Sequence, residues 1–259
     1  MMLTKKTPKG GKHLRESRFN RKTIGDDVVM NENHNIKALL RGTHLFGHLD
    51  NDKLDKALEL AESRRLNKGE VLYNEGDSAN EVYLLASGCM QVFVSDGLSK
   101  KYILQICASG ELIGMVGFID SGERSSNCAA DEDSHLLVFS RDSLMQLFDT
   151  EDGLPHSPEA RTRIMCHLVQ VVRRMSTKAK NLALMDVYGR VRILINQMLE
   201  EQDGEEMVLK KQLTQQEIAD QIGSSREMVA RILKELVFGR YIRLENRRIV
   251  VLKMLPVNF

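Results

Sequence analysis

Arg226, Glu227, Arg231 and Lys234 stand in the stretch LTQQEIADQIGSSREMVARILKEL, Leu213 to Leu236, at positions that share one side of a helix. An arginine fork matches the O6 and N7 acceptors of guanine, and a glutamate accepts from the N4 amine of cytosine, so this set is equipped to read base edges in a major groove. Competing chemistry is thinner. No Ser-His-Asp, Cys-His or paired-carboxylate arrangement stands out, which leaves an enzyme without a nucleophile or an acid–base pair. His44 and His48 have the spacing of helical metal ligands, but Gly42 and Gly47 disfavour a helix there, and no metal site is expected. Cys89, Cys107, Cys128 and Cys166 form no C-x-x-C pair, so neither zinc nor a disulfide framework is signalled, and a reducing cytoplasm is the expected compartment.

The elements that must hold this set can be read around it. Thr214 is a good N-cap with Glu217 three residues later, and Leu213 can staple onto Ile218. Ala219 and Gly223 suit a tight corner, and Ser224 with Glu227 makes a second capping box. Val229, Ile232, Leu233 and Leu236 then fall on the core face, leaving Arg226, Glu227, Ala230, Arg231 and Lys234 outward. After Gly239, YIRLENRRIVVL has strand character on both sides of Glu245-Asn246-Arg247. The reading is a helix-turn-helix with a wing, whose second helix offers side chains to bases and backbone N–H groups to phosphate. Glu227 can serve either as cap partner or as base contact.

The 259 residues suit about two domains, and the apolar runs fall far short of the roughly 20 residues that span a bilayer. A net charge of +1 hides a division: residues 35–157 carry 11 Lys+Arg against 20 Asp+Glu, whereas 207–259 carry 10 against 5. The basic C-terminal part is the candidate for a polyanion. Residues 1–33 read as a flexible basic arm, and Leu54, Leu58 and Ala61 mark a helix. From Gly69 to Ser140 short alternating strands (Val82 and Leu84; Met90, Val92 and Val94; Tyr102, Leu104 and Ile106) are punctuated by Asn74–Asp77, Ser87-Gly88 and Asp96-Gly97, which argues an antiparallel roll closed by Leu136 to Phe139. After Pro158, Ile164, Leu168, Val171, Met175 and Leu182 repeat at near-heptad spacing, flanked by Met165, Val169 and Val172. The flank suits contact with the roll and the seam suits the same helix of a second subunit; a core helix within one chain is the alternative.

These residues resemble the CRP/FNR superfamily of bacterial transcription regulators, through SREMVARIL in the winged helix-turn-helix, LYNEGD and SGCMQVF in the roll, LIGMVGFIDSGERSS at the family's phosphate-binding cassette, and the hinge-like NLALMDVYGRV. The resemblance implies an α+β chain with a cyclic nucleotide-binding-like β-roll over 34–157, a dimerisation helix over 158–185 and a winged helix-turn-helix over 186–259. It implies a homodimer, joined through Ile164, Leu168, Val171 and Met175, on a pseudo-palindromic TGTGA-like site in double-stranded DNA. Arg226, Glu227 and Arg231 would be the base-reading triplet, with Ser225, Lys234, Thr214 and Gln215 beside them. Gly114, Arg124, Ser125 and Ser176 match the effector site, but Met115 stands where the ribose-binding glutamate is expected, and Met175 where a base-contacting threonine is. A methionine cannot accept from a ribose hydroxyl, so tight cyclic AMP binding is not expected. Arg124 and Ser125 then either grip another phosphorylated small molecule or persist as structural residues. RNA polymerase is an implied partner, with the loop Glu200 to Lys211 as a docking surface. The competing reading is a nucleotide-sensing module that acts on a protein partner.

Overall fold

The computed structural model describes residues 35–97, 100–148, 157–201, 207–245 and 248–257. The arm expected over 1–33 and the wing-tip residues Asn246 and Arg247 lie outside them.

A helix over 35–42 (α1) and α2 (Asn51–Leu60) lead into the roll. Its strands are β1 (Glu62–Leu66), β2 (Val71–Tyr73), β3 (Glu81–Ser87), β4 (Cys89–Ser95), β5 (Lys101–Ala108), β6 (Leu112–Ile113), β7 (Asn127–Ala130) and β8 (Ser134–Ser140), with α3 (Met115–Ile119) before β7 and α4 (Arg141–Phe148) after β8. They form two four-stranded antiparallel sheets, β1-β8-β3-β6 and β2-β7-β4-β5. The glycine turns fall where the chain must reverse: Gly76, Gly88 and Gly97 all have positive φ. At Gly88 a Cβ would lie 2.4 Å from Ser134 Oγ, so that turn excludes a side chain on two grounds.

Alternation in β3 gives way to continuous burial from Val82 to Leu85. Val82 and Leu84 enter a cluster with Leu137, Phe139, Phe46 and Leu54, while Tyr83 and Leu85 enter a second with Leu136, Val138, Met90 and Cys128. The sheet therefore separates the inside of the roll from a helical layer, and its strands face apolar surroundings on both sides.

The long helix α5 (Pro158–Leu184) starts at Ser157, whose hydroxyl accepts from Ala160 N, with Pro158 in the first turn. Here the flank does not lie on the roll as expected. Ala160 is fully buried and Ile164 packs on the helical-layer cluster, so the seam side of α5 turns to the roll. Met165, Val169 and Val172, expected to lie on the roll, are instead exposed at 58%, 49% and 63%. Burial of Ala160 fixes the rotation of the helix, and two adjacent apolar stripes alone do not encode it. The seam residues Leu168, Val171 and Met175 are half-buried.

The last domain packs α6 (Val187–Gln197), α7 (Gln215–Ile222) and α8 (Arg226–Phe238) on a sheet of order β11-β12-β10-β9, made of β9 (Leu199–Glu201), β10 (Met207–Leu209), β11 (Ile242–Glu245) and β12 (Arg248–Val251). The segment read as a loop over Glu200 to Lys211 thus holds two paired strands, each only three residues long and so without a periodic signal. Tyr188, Val191, Ile218, Val229, Ile232, Leu236, Ile249 and Val251 share the core.

Phe139 is completely buried, with its ring 4.7 Å from that of Phe46. Replacing it by alanine is expected to cost about 3 to 5 kcal/mol, measured as a lower urea midpoint for the roll.

Candidate nucleic-acid interface and effector cassette

Thr214 caps α7: its hydroxyl accepts from Glu217 N at 3.1 Å while the Glu217 carboxylate accepts from Thr214 N at 2.6 Å. Gly223 ends the helix at φ 65°, and Ser224 N closes the turn on Ala219 O at 3.0 Å. The cap of α8 is therefore Ser225, not Ser224. Its hydroxyl accepts from Met228 N at 3.2 Å, and Ser224 belongs to the corner because its N–H is spent on α7. This one-residue shift releases Glu227 from the expected second capping box.

Arg226, Glu227, Arg231 and Lys234 are all exposed, and Val229, Ile232, Leu233 and Leu236 are buried on the opposite side. Hydrogen bonds to its own backbone N–H and to Ser225 hold the Glu227 carboxyl below the usual range, which keeps it an ionised acceptor at the helix start. Arg231 rests one Nη on the sulfur of Met228 at 3.3 Å. Ser225 and Thr214 are exposed and Gln215, the first residue of α7, is half-exposed, so all seven residues singled out in the sequence lie at the first turns of α7 and α8 or on the outer face of α8.

In the cassette of the roll the arginine is turned inward. Arg124 is buried, and its Nη1 and Nη2 donate to Gly114 O at 2.8 Å and Glu81 O at 2.7 Å. Its guanidinium lies over the rings of Tyr73 and Tyr83, 4.4 and 5.4 Å from their centroids. Gly114 has φ 86°, and a Cβ there would sit 2.4 Å from Arg124 Nη1, so the glycine makes room for the arginine. The Tyr83 hydroxyl donates to Glu81 Oε2 at 2.7 Å, and burial together with that bond pushes its pKa up to about 12. Met115 is buried in the helical-layer cluster. Ser125 and Ser176 are exposed, and among the described residues no hydrogen bond joins Ser176 to Gly114, Arg124 or Ser125. Tyr73 and Tyr83, which surround the arginine, carried no signal in sequence beyond ordinary strand residues.

His44 and His48 lie in a turn, and the His44 ring instead meets that of His167 at 4.6 Å. No group of three or more His, Cys, Asp or Glu residues suited to a metal occurs among the described residues. No helix among them is long and apolar enough to cross a membrane.

If Arg124 serves the fold through its two carbonyls, Arg124→Met lowers the stability of the ligand-free protein by about 1.5 to 3 kcal/mol. A urea melt without nucleotide reads this; an arginine reserved for a ligand would leave the melt unchanged or raise it.

Residues 63–151 match the cyclic nucleotide-binding domain family, and residues 189–255 match the Crp-like helix-turn-helix domain. The chain is 27% identical over 205 residues to the cyclic AMP receptor protein of Thermus thermophilus, covering 79% of this chain and 90% of that protein. It is 29% identical over 186 residues to the cAMP-activated global transcriptional regulator CRP of Escherichia coli, covering 70% and 85%. Among solved structures it resembles the c-di-GMP-responsive global regulator CLP of Xanthomonas campestris, with a TM-score of 0.66, 25% identity, and 78% and 99% of the two chains covered. With a roll, a long helix and a helix-turn-helix in this order, and with both domain families matched, the chain belongs to the CRP/FNR family of transcription regulators.

Proposed function

We propose that the protein acts as a homodimer on a pseudo-palindromic, TGTGA-like DNA site, each protomer placing α8 in one major groove, under the control of a small phosphorylated effector. The observation that carries this reading is the start of α8: Ser225 caps it, and Arg226, Glu227 and Arg231 face solvent together. In the groove, the two arginine forks donate to guanine O6 and N7 while the ionised Glu227 accepts from cytosine N4. Lys234, Ser225, Thr214 and Gln215 border this face and suit the phosphates on either side.

The exposed stripe Met165, Val169 and Val172 supports a dimer through α5, shifted by one face from the seam read in the sequence. Three exposed apolar side chains about a turn apart suit the same stripe of a second copy across a two-fold axis. As for the effector, the matched relatives are named as responding to cyclic AMP, and the structural neighbour to c-di-GMP. The roll of this chain offers a cyclic mononucleotide little, because Met115 lies in the core and the Arg124 guanidinium is held by carbonyls.

Fluorescence anisotropy on a labelled duplex in which TGTGA and TCACA flank a short spacer is expected to show binding well above a scrambled control, with affinity falling steeply as salt rises. Arg231→Ala is expected to cost about 1 to 3 kcal/mol at one base-pair position. Equal affinity for both duplexes would move the reading to a module that acts on a protein partner. Val172→Asp is expected to convert the dimer to monomer in light scattering and to weaken binding to the palindrome far more than to a half-site.

A further inference from the structure

Between the roll and the last domain lies a cleft of about 490 Å³, walled by β5, α5, α6 and α7. Three cations reach it, Arg174 and Lys178 from α5 and Arg190 from α6, and no aspartate or glutamate lines it. Among the described residues none of the three makes a salt bridge. The Nε atoms of Arg174 and Arg190, like that of Arg124 in the roll, are buried without a hydrogen-bond partner, while Arg190 Nη1 donates to Leu182 O at 3.2 Å. Lys178 donates to Ile103 O at 3.1 Å and lies 5.1 Å from the Tyr102 ring centroid. Partial burial, and then the nearby Arg174, lower the Lys178 pKa. Asn181 and Gln221 supply amides at the same walls.

Half-buried cations without carboxylates lose part of their hydration, which an anion would offset. A cyclic mononucleotide brings one negative charge, whereas three cations spread over two domains call for more. We infer that this interdomain cleft is an effector site and that it takes a cyclic dinucleotide. The two phosphodiesters lie against Arg174, Lys178 and Arg190, a base stacks on Tyr102, and base edges meet Asn181 and Gln221. Arginine forks suit phosphodiester oxygens, and their free Nε–H groups are the donors left for them. The inference deepens the effector half of the proposed function and rests on it. A ligand here ties α5 to α6 and α7, so its binding free energy acts directly on how the last domain sits against the roll.

Isothermal titration calorimetry on the full-length chain, with cyclic di-GMP and cyclic AMP as separate probes, tests this. Cyclic di-GMP is expected to bind saturably and more tightly than cyclic AMP, and R174Q and R190Q are each expected to weaken it tenfold or more. Gln221→Glu is the variant that guards against simple misfolding. Its new carboxylate should pair with the cations and raise the ligand-free melting temperature, while lowering affinity for cyclic di-GMP tenfold or more; an unfolded variant cannot do both. Undiminished affinity in R190Q and Q221E, tighter binding of cyclic AMP, or no saturable heat from either nucleotide with the folded wild-type chain would each overturn the assignment. DNA anisotropy on the same wild-type preparation reports the DNA reading independently, so the two can fail separately.

Discussion

The central residues of β3 and β8 have no solvent face. Val82, Leu84, Leu137 and Phe139 point to the helical layer, and Tyr83, Leu85, Leu136 and Val138 point into the roll. Each large side chain buried in this way contributes about 1.5 to 3 kcal/mol, so the pair of strands ties both layers to one sheet. Ala160 and Ile164 then attach the start of α5 to the outer layer, and that attachment sets the direction in which the rest of α5 leaves the roll. The orientation of the last domain follows from the far end of the same helix.

That far end is held by small and polar contacts. Asp186 caps α6, its carboxylate accepting from Gly189 N at 2.7 Å just beyond the end of α5. At Gly223 a Cβ would press on Leu182 at 3.0 Å and on Tyr102 at 3.2 Å, so the glycine that turns the helix-turn-helix also lets it approach the roll. On another side Lys211 bonds Asp131 at 2.9 Å and Glu132 at 3.0 Å; burial alone would lower its pKa, and the two carboxylates carry it above the ordinary range. Contacts of this kind are individually modest and suit a junction that shifts between arrangements more than a fused core does.

In the cassette, a matched motif also has a structural task. Arg124 matches the arginine for which the resemblance implies a phosphate contact, yet here its hydrogen bonds go to two main-chain carbonyls and, at 3.5 Å, to the Tyr83 hydroxyl, and its plane lies over two tyrosine rings. Its backbone also binds the earlier turn, through Gly76 N to Arg124 O at 2.9 Å and Arg124 N to Asp77 O at 2.8 Å. A residue so placed organises the roll whether or not anything binds there.

Much of the fold was legible because its signals are local. The Thr214–Glu217 capping box, the corner at Gly223, the buried face of α8 and the glycine turns of the roll depend on residues no more than a few positions apart, and so they are written into residue type and spacing. The cap at Ser225 was misplaced by one residue because two adjacent serines satisfy the same local rule, and only the competing bond from Ser224 N to α7 separates them. What tertiary structure alone decided was rotation and convergence: which stripe of α5 meets the roll, that Arg124 turns inward, and that Arg174, Lys178 and Arg190 share a wall with Gln221. Periodicity states that a helix has an apolar side but not what that side touches, because contacts between elements distant in the chain are fixed by packing of the whole.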